Sequence, residues 1–324
     1  MKGWRTWRVK DRQMWPCLRS RRARRLTGLV IGALVALFLM LQVVRDIQIE
    51  DVRWHDWIGE LGWYAAGTVA GVLAVATAIM LWVWADIMRT IHPVAPKITM
   101  RQHGIIYLAT ALGKRLPGAF WHVASRALLY ERLGTRKRVV LATTGMEVLL
   151  MTGSGGLLML FLLPTILSYL SSHRPIALLL IVLCIASVLS LHPRVSGRLS
   201  MSDVPLPPIR IGLWVAALMI VWLLGGWLLT FLVQRLYSIP WSLLPQLTAV
   251  WVATALIGTL TLILPAGFGI ADLSLIYFLS FAIPTAEAAF VALVLRLSAL
   301  AWDLLMAAIS GVITLLTERN HPNG

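Results

Sequence analysis

Residues 211–233 read IGLWVAALMIVWLLGGWLLTFLV, a run of 23 residues without a charged side chain. A helix needs about 20 consecutive apolar residues to cross the hydrocarbon core of a bilayer, so this run predicts a membrane-spanning helix. Apolar residues make up 59% of the 324 residues, and charged residues only 13%. A soluble domain usually carries about 25% charged residues. The composition therefore excludes an ordinary soluble domain and indicates an all-α, polytopic membrane protein.

Apolar runs on both sides of 211–233 predict a bundle of seven or eight crossings with both termini in the cytoplasm. These runs are 27–44, 63–88, 139–165, 176–191, 241–264 and 286–316, with a shorter one at 270–283. Fourteen residues of helix rise only about 21 Å, so the sequence leaves open whether 270–283 crosses the membrane or is re-entrant. Gly67 and Gly71 form a small-xxx-small pair, which predicts a helix contact. The transmembrane domain is expected over 27–316, followed by a short tail at 317–324.

The first 26 residues are strongly basic. They hold ten Lys and Arg against one Asp, which gives +9 of the formal net charge of +15. Basic residues before a first span favour the cytoplasmic side and contact anionic lipid. We therefore interpret 1–26 as a cytoplasmic anchor and expect no nucleic acid as a partner.

The sequence contains no motif for metal, nucleotide or covalent chemistry. The two cysteines, Cys17 and Cys184, cannot form a disulfide framework or a metal cluster. The seven histidines are scattered without HExxH spacing, and neither GxGxxG nor a Walker loop occurs. We expect no cofactor, no metal and no enzyme activity, with any function carried out in or at the edge of the bilayer.

The segment 104–130 differs from a continuous span. Gly113-Lys114-Arg115-Leu116-Pro117-Gly118 interrupts its apolar residues, and basic residues flank it at both ends. Residues 104–112 rise only about 13 Å as a helix, less than half of the bilayer. The pattern favours a re-entrant hairpin, with a soluble amphipathic hairpin as the alternative.

The second half of the chain contains a similar interruption. Leu264-Pro265-Ala266-Gly267-Phe268 echoes Leu116-Pro117-Gly118-Ala119-Phe120, and each precedes a new helix. Paired interruptions point to an inverted repeat with a binding site between its halves, and chance similarity of common residues is the alternative. A helix that begins at depth presents unpaired N–H groups and a positive dipole end. A phosphate or carboxylate near Lys114 and Arg115 would satisfy both, unless these side chains extend to cytoplasmic headgroups.

Five ionisable side chains within the predicted spans are candidates for function: Arg126, Glu147, Asp272, Arg296 and Asp303. Each costs at least about 2.5–3.5 kcal/mol at a helix centre unless it is paired or hydrated. Arg296 and Asp303 share one helix face but are separated by about 10 Å. Each therefore needs another partner, such as Glu147, Asp272 or a bound anion. A structural ion-pair network between helices is the alternative to a binding site.

The two interrupted segments resemble the lysylphosphatidylglycerol synthase transmembrane-domain family, flippase-like membrane proteins of bacteria and archaea. The likeness covers about 100–316 and rests on LPGAFWHVASR at 116–126, LPAGFGIAD at 264–272 and Arg296 downstream. The second motif of the family usually reads Pro-Gly-Gly-hydrophobic-Gly-hydrophobic-Arg-Glu. Gly267 and Gly269 match its second and third glycines and Asp272 keeps its carboxylate, whereas Ala266 and Ala271 replace its first glycine and its arginine. Glu147 matches the acidic residue of the span after the first hairpin.

This resemblance implies the movement or handling of anionic or polyprenyl-linked lipids in the bacterial inner membrane. In this hypothesis the arginines and Lys114 offset the charge of the headgroup. Carboxylates hold the arginines in place when no lipid is bound. The hypothesis depends on the expectation that only a lipid's polar end can neutralise the buried cations. The expected headgroup site comprises Lys114, Arg115, Pro117, Gly118, Arg126, Glu147, Pro265, Gly267, Gly269, Asp272, Arg296 and Asp303. Two other functions stay open: an accessory subunit of a cell-envelope glycosyltransferase or lipid-modifying enzyme, and a lipid-headgroup transferase.

Overall fold

The computed structural model describes residues 54–91, 98–115, 120–169, 174–189, 206–261 and 269–319, and all regular structure in these ranges is helical. The basic segment 1–26 and the predicted first span 27–44 lie outside the described residues. The helices are α1 Trp54–Ile91, α2 Met100–Ala111, α3 Phe120–Arg132, α4 Lys137–Phe161, α5 Leu163–Tyr169, α6 Arg174–Leu189, α7 Pro208–Leu236, α8 Leu244–Thr261, α9 Ile270–Leu279 and α10 Thr285–Arg319. Short 3₁₀ turns at Leu112–Arg115 and Trp241–Leu243 follow α2 and precede α8.

Five helices are long and apolar enough to cross a membrane, which confirms an all-helical membrane protein. They are Gly62–Ile91 in α1, Lys137–Phe161, Pro208–Leu236, Trp241–Thr259 and Thr285–Thr314. The expected seven or eight crossings are not confirmed in the described part of the chain. The run at 176–191 corresponds to α6, whose apolar described part is only Leu180–Leu189. The run at 270–283 corresponds to α9, whose ten residues rise only about 15 Å.

Helices α1, α4 and α7 pack against one another, and α8 packs on α7. α1 and α7 are antiparallel, because Trp214 Nε1 donates to Asp86 Oδ2 (2.9 Å) at one end and the Tyr64 and Phe231 rings meet at the other. We call these the Ile91 end, where Ile91, Lys137 and Pro208 lie, and the Gly62 end, where Gly62, Phe161, Leu236 and Trp241 lie. At Gly62 the backbone adopts φ 54°, which interrupts α1 and sets the start of its span.

The closest helix approaches occur at glycines other than Gly67 and Gly71. A Cβ atom at Gly226 would lie 2.4 Å from Thr248 Oγ1, and one at Gly156 would lie 2.6 Å from Ser187 Cβ. By contrast, a Cβ atom at Gly67 or Gly71 would meet no described atom within 4 Å. Among the described residues, the predicted helix contact at Gly67 and Gly71 is therefore not found, because that face of α1 is turned away from the described helices that pack on it.

The largest apolar core lies among α4, α7, α8, α9 and α10, with Leu229, Leu247, Val250 and Leu279 fully buried. A smaller core joins α1, α2, α3 and α4 near the Ile91 end, around Trp84 and Tyr130. The second core is the one that holds the first interrupted segment in place.

Candidate functional site

The first interrupted segment contains two short helices, α2 and α3, and a 3₁₀ turn that follows α2. Thr99 caps α2, because its Oγ1 accepts from Gln102 N and Gln102 Oε1 accepts from Thr99 N. After twelve residues α2 passes into the 3₁₀ turn. A Cβ atom at Gly113 would lie 2.8 Å from the Cα and N atoms of His122, so glycine allows the turn to lie against the start of α3. The α-helix ends at Ala111, before the break predicted at 113–118, whose residues 116–119 lie outside the described residues, and α2 and α3 pack on each other.

Arg126 of α3 lies at the centre of this hairpin and is fully buried. Its Nη1 donates to Glu147 Oε2 (3.1 Å), and its Nε donates to Thr110 Oγ1 (3.3 Å). Its guanidinium carbon lies 4.1 Å from the Trp84 ring centre and 4.4 Å from that of Tyr107. Tyr107 Oη donates to Glu147 Oε1 (3.0 Å), while Nη2 of Arg126 has no hydrogen-bond partner. One carboxylate and two aromatic faces therefore neutralise and enclose the arginine.

This arrangement corrects one part of the lipid hypothesis. The expectation that only a lipid's polar end can neutralise the buried cations is wrong for Arg126, because Glu147 of α4 lies opposite it. Arg126 has no exposed surface, so a headgroup cannot contact its guanidinium in this conformation. The pair holds α3 to α4, with a carboxylate holding the arginine as expected.

Further aromatic and polar side chains extend this cluster toward the Ile91 end. Trp84 Nε1 donates to Tyr130 Oη (2.8 Å), and that hydroxyl lies 2.6 Å from His103 Nδ1. Burial, with a smaller effect of Arg89, lowers the pKa of His103 to about 4, so its imidazole is neutral. Burial also raises the pKa of Tyr130 to about 12. The hydroxyl of Tyr130 can thus accept from Trp84 and donate to His103.

Sequence reasoning missed Trp84, His103, Tyr107 and Tyr130. The available signal was the spacing of His103, Tyr107 and Thr110, which places three polar side chains on one face of a short helix. Trp84 carried no such signal, because a tryptophan within an apolar span is typical of lipid-facing and buried positions alike.

The second ion pair joins Asp272 of α9 to Arg296 of α10, which make a direct contact. Gly269 precedes α9 with φ 97°, a left-handed conformation that favours glycine, and Asp272 lies in the first turn. About one third of each side chain is exposed. Asp272 is one of the partners expected for Arg296, whose charge is therefore also offset by a carboxylate. Asp303 lies two turns further along α10 and is half-buried.

The remaining predicted site residues fall at the tip of the first hairpin or outside the described residues. Lys114 is exposed, with Nζ 5.1 Å from the Tyr107 ring centre, and Arg115 ends the 3₁₀ turn. Pro117, Gly118, Pro265 and Gly267 lie outside the described residues. Helix α10 packs against both α2 and the 3₁₀ turn, so the helix that carries Arg296 also borders the hairpin tip.

Within the described ranges, no group of three His, Cys, Asp or Glu side chains is arranged to hold a metal ion. The two pairs differ in what they can do. The Arg126 pair is buried, whereas about one third of each side chain of the Arg296 pair is exposed.

Comparison with known proteins adds no relative: no family model, no curated protein and no solved structure matches the chain. The likeness noted from the two interrupted segments rests on their residues alone.

Proposed function

We propose that this protein handles and translocates an anionic or polyprenyl-linked lipid in the bacterial inner membrane. The observation that carries the proposal is the packing of α10 against the tip of the first hairpin. The helix that borders the hairpin tip therefore also carries Arg296, which pairs with Asp272 of α9 in the second interrupted segment. Two interrupted segments that share one helix are the arrangement expected of a membrane transport site.

Helix lengths favour a location of these charges near the middle of the bilayer. Glu147 lies ten residues beyond Lys137, and Arg296 lies eleven residues beyond Thr285, which correspond to about 15 and 16 Å along their helices. The hydrocarbon core is about 30 Å thick. Met100–Ala111 rises about 18 Å, so a hairpin that enters from the Ile91 end would bring Lys114 to a similar depth. We therefore interpret α2 and α3 as re-entrant and α9 as a helix that starts within the membrane.

The two ion pairs take different roles in this proposal. Breaking the sealed Arg126–Glu147 pair would leave a buried charge, at a cost of about 3–5 kcal/mol, so this pair positions the hairpin. Arg296 is partly exposed, and a lipid phosphate can compete with Asp272 for its guanidinium. Lys114, and Arg115 beside it in the chain, supply further positive charge at the hairpin tip. The lipid tails stay in the bilayer while the headgroup passes along α10.

The test is lipid scrambling in reconstituted liposomes that contain fluorescent phosphatidylglycerol or a fluorescent polyprenyl phosphate. We expect scrambling above that of empty vesicles, and a loss of about tenfold in Lys114→Gln or Arg296→Gln, which each remove one charge-assisted contact. Arg138→Gln is the matched control, because Arg138 is exposed at the start of α4. Scrambling equal to that of empty vesicles for every anionic and polyprenyl lipid would overturn the proposal.

A further inference from the structure

A second candidate site lies at the Gly62 end, away from the interrupted segments. Here three spans end around an open cleft of about 730 Å³. Tyr64 of α1, Trp227, Phe231 and Arg235 of α7, and Trp241 before α8 line it. The cleft shares no residue with the hairpin or with the Asp272–Arg296 pair, so it calls for a separate explanation.

Arg235 gives this cleft its charge. Its guanidinium carbon lies 5.1 Å from the Tyr64 ring centre and 5.4 Å from that of Phe231. None of the described carboxylates lies within 4.0 Å of it, since the described ion pairs involve other cations. Contact with aromatic faces orients a guanidinium. Its N–H groups, which lie in the plane of the guanidinium, can then donate hydrogen bonds to an anion. Gln234 and Ser238 add polar groups beside it.

A second, apolar groove of about 420 Å³ lies along α7 and α8. Ile220, Leu223, Leu224 and Trp227 of α7 line one side at helical spacing, and Leu244 and Thr248 of α8 line the other. Trp227 borders both cavities, which makes the charged cleft and the apolar groove adjoining parts of one surface. A ligand that fills both must have an anionic head and an apolar tail.

The exposed aromatic side chains place the cleft at the level of lipid headgroups. Trp63 is 94% exposed and Tyr64 is 69% exposed, and Tyr237 and Trp241 are also exposed. Tryptophan and tyrosine favour the interface between hydrocarbon and water. A groove that descends from this level runs in the direction of a lipid chain.

We propose that this surface binds an anionic phospholipid. Arg235 holds the phosphate, Gln234 and Ser238 contact the headgroup hydroxyls, and one acyl chain lies in the groove between α7 and α8. An apolar tail distinguishes this ligand from a free phosphate, which would use only the cleft. The site does not depend on translocation, because its residues are separate from those of the proposed transport site.

The experiment is native mass spectrometry of the full chain in detergent, titrated with dioleoyl phosphatidylglycerol and, separately, with dioleoyl phosphatidylcholine. We expect the wild-type protein to bind phosphatidylglycerol about tenfold more tightly, because the choline cation of phosphatidylcholine offsets the phosphate charge that Arg235 would neutralise. Arg235→Gln removes this preference and Arg235→Lys restores part of it. Arg138→Gln is the control and leaves the preference unchanged.

Two results would overturn the site. One is an unchanged lipid preference in Arg235→Gln, provided that its thermal unfolding matches that of the wild type. The other is displacement of phosphatidylglycerol by an equal concentration of inorganic phosphate, which would show that the groove contributes nothing. A protein that retains phosphatidylglycerol through Arg235 but does not scramble lipid supports this inference and contradicts the proposed function.

Discussion

Arg126 shows how a single residue is kept charged inside an apolar bundle. Burial removes the water that would solvate its guanidinium, and an unpaired charge there would be very unfavourable. Glu147, Thr110 and the faces of Trp84 and Tyr107 replace most of that solvation. Among the described residues no group hydrogen-bonds its Nη2, which makes the cluster sensitive to any loss of the carboxylate.

At this scale we expect Glu147→Gln to destabilise the protein by about 3–5 kcal/mol, because Arg126 stays buried and charged without its counter-ion. Thermal unfolding of the purified protein in detergent measures the change. The double variant Arg126→Met/Glu147→Leu removes both charges and should recover most of the stability. A Glu147→Gln protein as stable as the wild type would contradict a structural role for the pair.

At the scale of the elements, small residues determine how closely α4, α6, α7 and α8 approach. Gly225 and Gly226 lie against Trp251 and Thr248, and Gly155 lies against Trp222. Trp222 Nε1 also donates to Met151 O and lies within hydrogen-bond distance of Ser154 Oγ, which fixes the rotation of α7 against α4. In lipid, where tails are as apolar as side chains, such close backbone packing is a main source of helix association.

Gly226→Ala tests this packing against Gly71→Ala. A Cβ atom at Gly226 would lie 2.7 Å from Thr248 Cα, so the backbones must move apart, at a cost of about 1–3 kcal/mol. A Cβ atom at Gly71 would meet no described atom within 4 Å, and alanine there should be neutral or stabilise the helix by up to about 1 kcal/mol. Thermal unfolding in the same detergent compares the two variants. Equal shifts in Tm would show that the close approach of α7 and α8 does not determine the stability of the protein.

At the scale of the whole molecule, the positions of the breaks along the bundle decide what the charges can reach. Tyr169 Oη donates to Phe278 O (2.9 Å), which ties the end of α9 to the Gly62 end. The first hairpin packs near the opposite end, around Trp84 and Tyr130. The first hairpin and α9 both pack against α10.

A depth measurement tests the proposal that the first hairpin enters the membrane. A spin label at Lys114→Cys in liposomes should be more accessible to oxygen than to a water-soluble nickel complex, and Arg138→Cys should show the reverse. Cys17→Ser and Cys184→Ala provide the background without other thiols. If position 114 were as accessible to the nickel complex as position 138, the hairpin would lie outside the membrane.

The sequence by itself determined the class of protein. Uncharged runs such as 211–233 predict spans from composition alone, and the break at 113–118 is a local signal of glycine, proline and charge. The cost of an unpaired charge also predicted a partner for Arg296, with Asp272 as one of three candidates beside Glu147 and a bound anion. These properties depend either on residues that are close in the chain or on the bilayer, which disfavours unpaired charge in every segment that enters it.

Only the tertiary structure decided which faces meet. Trp84 and Tyr130 are 46 residues apart, and Tyr107 and Glu147 are 40 apart. Their contacts depend on how each helix is rotated about its own axis, and a span that is apolar on all sides leaves that rotation unspecified. The same reason explains why Gly226 lies in a contact while no described helix packs on Gly71, and why the cleft around Arg235 could not be found in the sequence.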